Sequence, residues 1–97
     1  MRLAARKDAN HNEILDALRA EGYSVLDLWR LGRDAPDCLV GNGKTNTLLE
    51  IKTTSGKLSD GQKKFLDHWK GPRAVVRSVV EALEAVRIIE ANENYQP

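Results

Sequence analysis

The stretch PDCLVGNGKTNTLLEIK, residues 36–52, decides the fold that we expect for this chain. Two short apolar runs flank a turn rich in Gly and Asn, a pattern that predicts an antiparallel β-hairpin. Side chains alternate between the two faces of a strand, so Glu50 and Lys52 share one face. The hairpin places Asp37 near their level on the neighbouring strand, just after Pro36. Two carboxylates and one ammonium group are therefore expected to lie within reach of one another.

The segments on either side of the hairpin alternate between helical and strand patterns. An apolar stripe at helical spacing predicts a first helix that starts near residues 8–10 and ends at Glu21. Residues 23–29 alternate as a strand does. Beyond the hairpin, residues 59–69 form a second predicted helix, and residues 74–79 contain a short fourth strand.

Two serines mark the predicted starts of the later helices. Ser59 with Gln62, and Ser78 with Glu81, have the spacing of a capping box. The last helix should run to about residue 89, which gives the order α-β-β-β-α-β-α. Because a helix connects the third strand to the fourth, these two strands should be parallel. We therefore expect an α/β fold with a mixed four-stranded sheet flanked by helices.

Composition is that of a small globular protein. The chain has 97 residues, of which 41% are hydrophobic and 30% charged, enough for one compact domain. We expect a single domain over residues 1–97, with its core over residues 8–89 and flexible termini. No apolar run is long enough for a transmembrane helix, and no apolar segment follows the basic N-terminus as in a signal peptide. The single cysteine, Cys38, cannot form an internal disulfide, which favours a cytoplasmic location.

Positive charge is concentrated after the hairpin. The formal net charge is only +1, but residues 52–73 hold six Lys and Arg against two Asp, a local excess of four positive charges. A second basic cluster includes Arg6 and Lys7, whereas the chain beyond residue 81 is acidic. Two interpretations stay open for these cations, a phosphate-binding surface or the solvated face of a helix.

The acidic pair of the hairpin needs a compensating cation. Two neighbouring carboxylates repel each other unless a positive charge neutralises them. Lys52 offers one such charge, and a divalent metal offers another, because Mg²⁺ prefers carboxylate oxygens together with water and phosphate. A plain surface pair between Glu50 and Lys52 is the alternative.

Pro36-Asp37, followed after a turn by Glu50-Ile51-Lys52, resembles the signature of the PD-(D/E)XK nuclease superfamily. The chain is most similar to small stand-alone nucleases of the VRR-Nuc and Holliday-junction-resolvase-like group, including phage proteins, over about residues 8–86. The resemblance implies a restriction-endonuclease-like core. It also implies that Asp37, Glu50 and the backbone carbonyl of Ile51 hold Mg²⁺, for which Mn²⁺ can substitute, and that Lys52 positions the attacking water.

Two further positions have competing interpretations. Glu13 lies at the edge of the buried face of the first helix, and the resemblance implies that it points into the site as a metal ligand. Its alternatives are a capping role with Asn10, or exposure to solvent. The resemblance also implies that Gln62 faces the active site as a catalytic residue, whereas its spacing from Ser59 favours helix capping.

The resemblance predicts a function and a set of partners. We expect a Mg²⁺-dependent endodeoxyribonuclease that acts as a homodimer in the cytoplasm of a bacterium or phage-infected cell and cleaves branched, junction or flap DNA. The residues expected to contact DNA phosphates are Lys57, Lys63, Lys64, Arg6 and Lys7. One alternative is a non-catalytic nucleic-acid-binding or assembly module on the same fold, and another is a protein-interaction domain. His11 and His68 are predicted to be surface residues, and Trp69 to belong to the core or an interface rather than to stack on bases.

Overall fold

The computed structural model describes residues 8–92. The basic residues Arg6 and Lys7, and the ends of the chain that were expected to be flexible, lie outside this range. Within it, no helix is long and apolar enough to cross a membrane.

The order of elements confirms the predicted succession of helices and strands. The described elements are α1 (His11–Ala20), β1 (Ser24–Asp27), a 3₁₀ turn (Trp29–Leu31), β2 (Cys38–Gly41), β3 (Asn46–Ile51), α2 (Asp60–His68), β4 (Arg73–Val76) and α3 (Val79–Ala91). The first strand is shorter than predicted. It ends because the Asp27 carboxylate accepts a hydrogen bond from the Trp29 backbone N–H at 3.1 Å, which starts the 3₁₀ turn.

The four strands form one mixed sheet in the order β1-β2-β3-β4. The β1–β2 and β2–β3 pairs are antiparallel, and β3–β4 is parallel, as the helical connection predicts. In the hairpin, the Asn42 side-chain oxygen accepts the N–H groups of Lys44 and Thr45 at 2.8 Å, and Gly43 adopts a positive φ of 93°. The register pairs Cys38 with Leu49, so Asp37 precedes β2 at the level where Glu50 lies on β3.

Helices cover both faces of the sheet. One face packs against α1 and α3 in a continuous apolar core, whose fully buried members are Ile14, Leu15, Leu18, Cys38, Val40, Leu49, Ile51, Val76, Ala82 and Val86. On the opposite face, Gln62 of α2 contacts Glu50, and Leu66 of the same helix is buried. Residues 47–51 of β3 are consequently all buried, and a charged group in this segment is withdrawn from water.

The two predicted capping boxes differ in completeness. The box at Ser59 is confirmed, with both reciprocal hydrogen bonds to Gln62 present. At Ser78 only half of the prediction holds. The serine hydroxyl accepts the Glu81 N–H at 3.1 Å, but the Glu81 carboxylate accepts the backbone N–H of Arg77 instead of that of Ser78.

Candidate active site

Asp37 is held against β3 by its backbone and its side chain. Its N–H donates to the Leu49 carbonyl at 2.9 Å, and its own carbonyl accepts the Leu28 N–H at 2.8 Å. The carboxylate oxygen Oδ2 accepts the Ile51 N–H at 2.7 Å. The side chain keeps 21% of its surface exposed, so it remains open to solvent and to a ligand.

Glu50 is a buried acid beside this carboxylate. Only 3% of its surface is exposed, because α2 covers its face of β3. Burial, and next the neighbouring Asp37 carboxylate, raise the pKa of Glu50 to about 9, while Lys52 partly opposes the shift. Its Oε1 atom is buried and has no hydrogen-bond partner among residues 8–92. Without a cation, the proton of Glu50 is shared in a hydrogen bond with the Asp37 carboxylate, and a divalent cation between the two acids would take the place of that proton.

Gln62 caps α2, as its spacing predicts, and the same side chain also contacts Glu50. Its side-chain oxygen accepts the Ser59 N–H at 2.9 Å and completes the capping box of α2. Its amide nitrogen donates to Oε2 of Glu50 at 3.4 Å. The two functional groups at the end of one side chain thus connect the start of α2 with the acid of β3.

Lys52 directly follows β3, and its charge acts on the Glu50 carboxyl. Alternation along the strand directs both side chains to the same side. The Lys52 N–H donates to the Val76 carbonyl at 3.0 Å, so the backbone stays paired with β4 at this position. The Lys52 carbonyl accepts the side-chain amide of Asn10 at 3.2 Å.

Asn10 and Arg77 fix the loop that follows Lys52. The Asn10 amide also donates to the Arg77 carbonyl at 3.0 Å. The Arg77 guanidinium donates to the carbonyls of Thr53 at 2.7 Å and Gly56 at 2.5 Å. These bonds join the N-terminal end of α1 to the ends of β3 and β4. The backbone at Lys52 is therefore fixed by hydrogen bonds from Asn10 and to β4, and the loop after it by hydrogen bonds from Arg77.

The structure does not bring Glu13 to the acidic pair. Its side chain is exposed, whereas the buried residues of α1 include His11 and Ile14. At 3.6 residues per turn, Glu13 lies about 200° around the helix from His11. The capping alternative is also wrong, because the Asn10 side chain makes no cap hydrogen bond and is bound to Lys52 and Arg77 instead. Exposure is the interpretation that holds.

His11 is the residue of α1 that reaches the site, and its prediction as a surface residue is wrong. It is 1% exposed. Its Nε2 lies 3.1 Å from Oδ1 of Asp27, and its Nδ1 lies 3.7 Å from Oδ1 of Asp37. The N-terminal turn of α1 covers the end of the sheet, which places the ring between the two carboxylates. The signal was present in the sequence, since His11 extends the apolar stripe at i+3 and i+4 to Ile14 and Leu15.

The donors for a metal are few. Among residues 8–92, no group of three or more His, Cys, Asp and Glu side chains is arranged to hold a metal ion. Asp37 and Glu50 supply two carboxylates. A residue in an antiparallel pair directs its N–H and C=O toward the same strand, so the Ile51 carbonyl points to the Asp37 side. Such a set suits Mg²⁺, which completes its coordination with water and phosphate.

Charge differs between the two helical faces. Lys57, Lys63 and Lys64 are exposed on or next to α2, on the side of the sheet that carries Glu50. On the opposite side, α3 exposes Glu81, Glu84 and Glu90, with Arg87 as a basic exception. An anionic ligand is therefore attracted to the face that holds the acidic pair and Lys52.

Comparison with family models, with curated proteins and with solved structures finds no match to this chain.

Proposed function

We propose that this protein is a metal-dependent endodeoxyribonuclease of the PD-(D/E)XK type, built on a restriction-endonuclease-like core. The observation that carries the proposal is the Glu50 carboxyl, buried beside Asp37 with one oxygen that has no partner in the described chain. A buried acid beside a second carboxylate costs stability unless a proton or a cation compensates the charge. A divalent cation bound between the two carboxylates offsets this cost and supplies a Lewis acid for phosphodiester hydrolysis.

Each residue of the proposed site has a separate task. Asp37 and Glu50 hold Mg²⁺ with the Ile51 carbonyl, and the Gln62 amide orients the Glu50 carboxylate. Lys52 offsets negative charge on the scissile phosphate and orients the water that attacks it in line. When bound, Mg²⁺ supplies Lewis-acid polarisation of the phosphate. Asn10 positions Lys52 through the backbone carbonyl.

DNA is the proposed substrate because the basic face and the acidic pair lie on the same side of the sheet. Lys57, Lys63 and Lys64 supply exposed charges for backbone phosphates. A domain this small recognises the shape of a branched, junction or flap DNA more readily than it recognises a long base sequence. A homodimer presents two such sites to two strands.

The experiment is a cleavage assay on junction, flap and duplex DNA with Mg²⁺, Mn²⁺ or EDTA. The proposal predicts cleavage of at least one substrate with either metal and none in EDTA. Asp37→Asn should be inactive, and Asp67→Asn, which alters an exposed acid near the C-terminal end of α2, should retain activity. Absence of cleavage by wild-type protein, under conditions where metal binding is demonstrated, would refute the proposal.

The small number of donors favours a second candidate, a non-catalytic nucleic-acid-binding or assembly module. With Glu13 exposed on another face of α1, Asp37 and Glu50 are the two carboxylates of the proposed metal site within residues 8–92. Such a module binds DNA equally well in EDTA and after Asp37→Ala. The nuclease, by contrast, needs both the metal and Asp37 for turnover.

A further inference from the structure

Trp69 is an exposed aromatic ring at the C-terminal end of α2. It is 42% exposed. Its indole stacks on the Phe65 ring, with 5.6 Å between centroids and 13° between planes. Because Phe65 covers one face of the indole, the exposed surface includes the opposite face.

The ring is also held at its edge. A Cβ atom added to Gly71 would lie 2.8 Å from the indole Nε1, so only a glycine lets the backbone approach so closely. Phe65 on one face and Gly71 at the edge fix the ring orientation before any ligand arrives. A preorganised aromatic surface loses little conformational freedom on binding.

The charges around Trp69 indicate what could cover it. Lys70 directly follows Trp69 and is exposed, Lys64 is exposed five residues earlier on α2, and Asp67 and His68 are exposed between Lys64 and Trp69. Other exposed apolar side chains lie on different elements, such as Leu26 on β1 and Ile88 on α3. An exposed flat ring followed by an exposed lysine suits a flat apolar group that carries negative charge, and a nucleotide with an unpaired base has both properties.

The position of Trp69 relates it to the acidic pair. Gln62, which touches Glu50, lies seven residues earlier on α2, and 3.6 residues per turn place both side chains on the same face of the helix. A rise of 1.5 Å per residue separates them by about 10 Å. At about 3.4 Å per stacked nucleotide, this distance corresponds to roughly three nucleotides.

We propose that Trp69 is a stacking site for an unpaired nucleobase, about three nucleotides from the phosphate at Asp37 and Glu50. This inference rests on the proposed function, because it takes that phosphate to be bound at the acidic pair. It narrows the substrate class to DNA with a single-stranded segment beside the cleavage point, such as a flap or an opened junction.

The test uses tryptophan fluorescence. Trp29→Phe leaves Trp69 as the single tryptophan of the chain. With Ca²⁺ in place of Mg²⁺, a short oligothymidylate should quench Trp69 emission, and a blunt duplex of mixed sequence should not. By fluorescence anisotropy of a dye-labelled oligothymidylate, which needs no tryptophan, Trp69→Leu should weaken binding by about tenfold, while Trp69→Phe retains most of the affinity. Affinity for the blunt duplex should not change.

The outcomes separate this inference from the proposed function. Equal oligothymidylate affinity for wild type and Trp69→Leu, or equal quenching by duplex and single strand, would overturn the stacking site. The absence of any DNA binding would overturn it too, and would leave Trp69 as a contact for another protein. Cleavage is measured separately. If wild type cleaves no DNA but oligothymidylate still quenches Trp69, the nuclease proposal fails and the stacking site stands. If flap cleavage is the same in Trp69→Leu, only the stacking site fails.

Discussion

Gln62 links helix α2 to the buried acid Glu50 through a single side chain. Its amide nitrogen donates to Oε2 of Glu50 at 3.4 Å, and its amide oxygen accepts the Ser59 N–H at 2.9 Å. The same residue thus stabilises a helix terminus and touches the proposed site. Substitutions can separate the two tasks, because only the nitrogen faces Glu50.

Gln62→Glu should preserve the helix and impair the site. A glutamate at this position still completes the capping box, but it cannot donate to the Glu50 carboxylate and adds a like charge beside it. Ser59→Ala should do the opposite, with a loss of about 1 kcal/mol in the free energy of unfolding and little change in cleavage. Urea denaturation and a cleavage assay on both variants check this. If each variant lost cleavage activity only in proportion to its loss in free energy of unfolding, the Gln62 amide would have no separate role at the site.

Glu50 should make the stability of the metal-free protein depend on pH. Its pKa is about 9 in the folded chain against 4.5 for an ordinary glutamate. Between these values the unfolded chain has lost the proton that the folded chain retains. The stabilisation is complete below pH 4.5, and it declines as pH rises toward 9, by at most about 1.4 kcal/mol per pH unit. Glu50→Gln should flatten this decline in urea denaturation at several pH values in EDTA. An unchanged slope in Glu50→Gln would contradict the assigned burial of the acid.

Mg²⁺ should stabilise the wild-type protein through Asp37 and Glu50. At a free concentration about 100 times the dissociation constant, the gain is about 2.7 kcal/mol and appears as a higher thermal midpoint. Binding should also release a proton, because Glu50 ionises when it ligates the cation. Calorimetry in two buffers of different ionisation enthalpy measures that proton.

The matched variants for metal binding are Asp37→Asn and Glu13→Gln. The first should abolish the Mg²⁺-dependent shift in the thermal midpoint, whereas the second should retain it, because Glu13 is exposed on another face of α1. A loss of binding in Glu13→Gln would restore Glu13 as a ligand and contradict the position described above.

His11 should be far more important for stability than His68. Truncation of His11 to Ala opens a cavity and removes one partner of Asp27, which should lower the free energy of unfolding by about 2–4 kcal/mol. His68→Ala alters an exposed side chain, and the change should stay within about 0.5 kcal/mol. Urea denaturation of the two variants gives the comparison, and similar losses for both would show that His11 is not the buried link between Asp27 and Asp37.

Local patterns were sufficient to predict the hairpin and the position of its charges. Period-two alternation and the turn set the relation of Asp37 to Glu50, and the register that pairs Cys38 with Leu49 agrees with it. The Ser59 capping box was equally local. The sequence left two interpretations of Gln62, helix capping or a place at the site. Spacing alone does not show that the amide oxygen can cap the helix while the amide nitrogen contacts Glu50.

The failures concern how α1 is rotated against the sheet. Asn10 binds the carbonyls of Lys52 and Arg77, which are distant in sequence, and these bonds place His11 inward and Glu13 outward. Within α1, the only sequence signal for this rotation is the apolar stripe that His11 continues. The exposure of Trp69 likewise depends on where α2 ends relative to the sheet. Cleavage, metal and DNA remain predictions that the fold alone does not test.

The most direct test of the central claim compares wild type, Lys52→Ala and Lys57→Ala in the cleavage of the same junction and flap DNAs with Mg²⁺. Lys52 lies beside Glu50, and Lys57 is an exposed lysine in the loop that follows. The account predicts that Lys52→Ala loses at least about 100-fold in cleavage rate while it still binds Mg²⁺, and that Lys57→Ala stays within about tenfold of wild type. Equal cleavage by wild type and Lys52→Ala would contradict the assignment of Asp37, Glu50 and Lys52 as the active site.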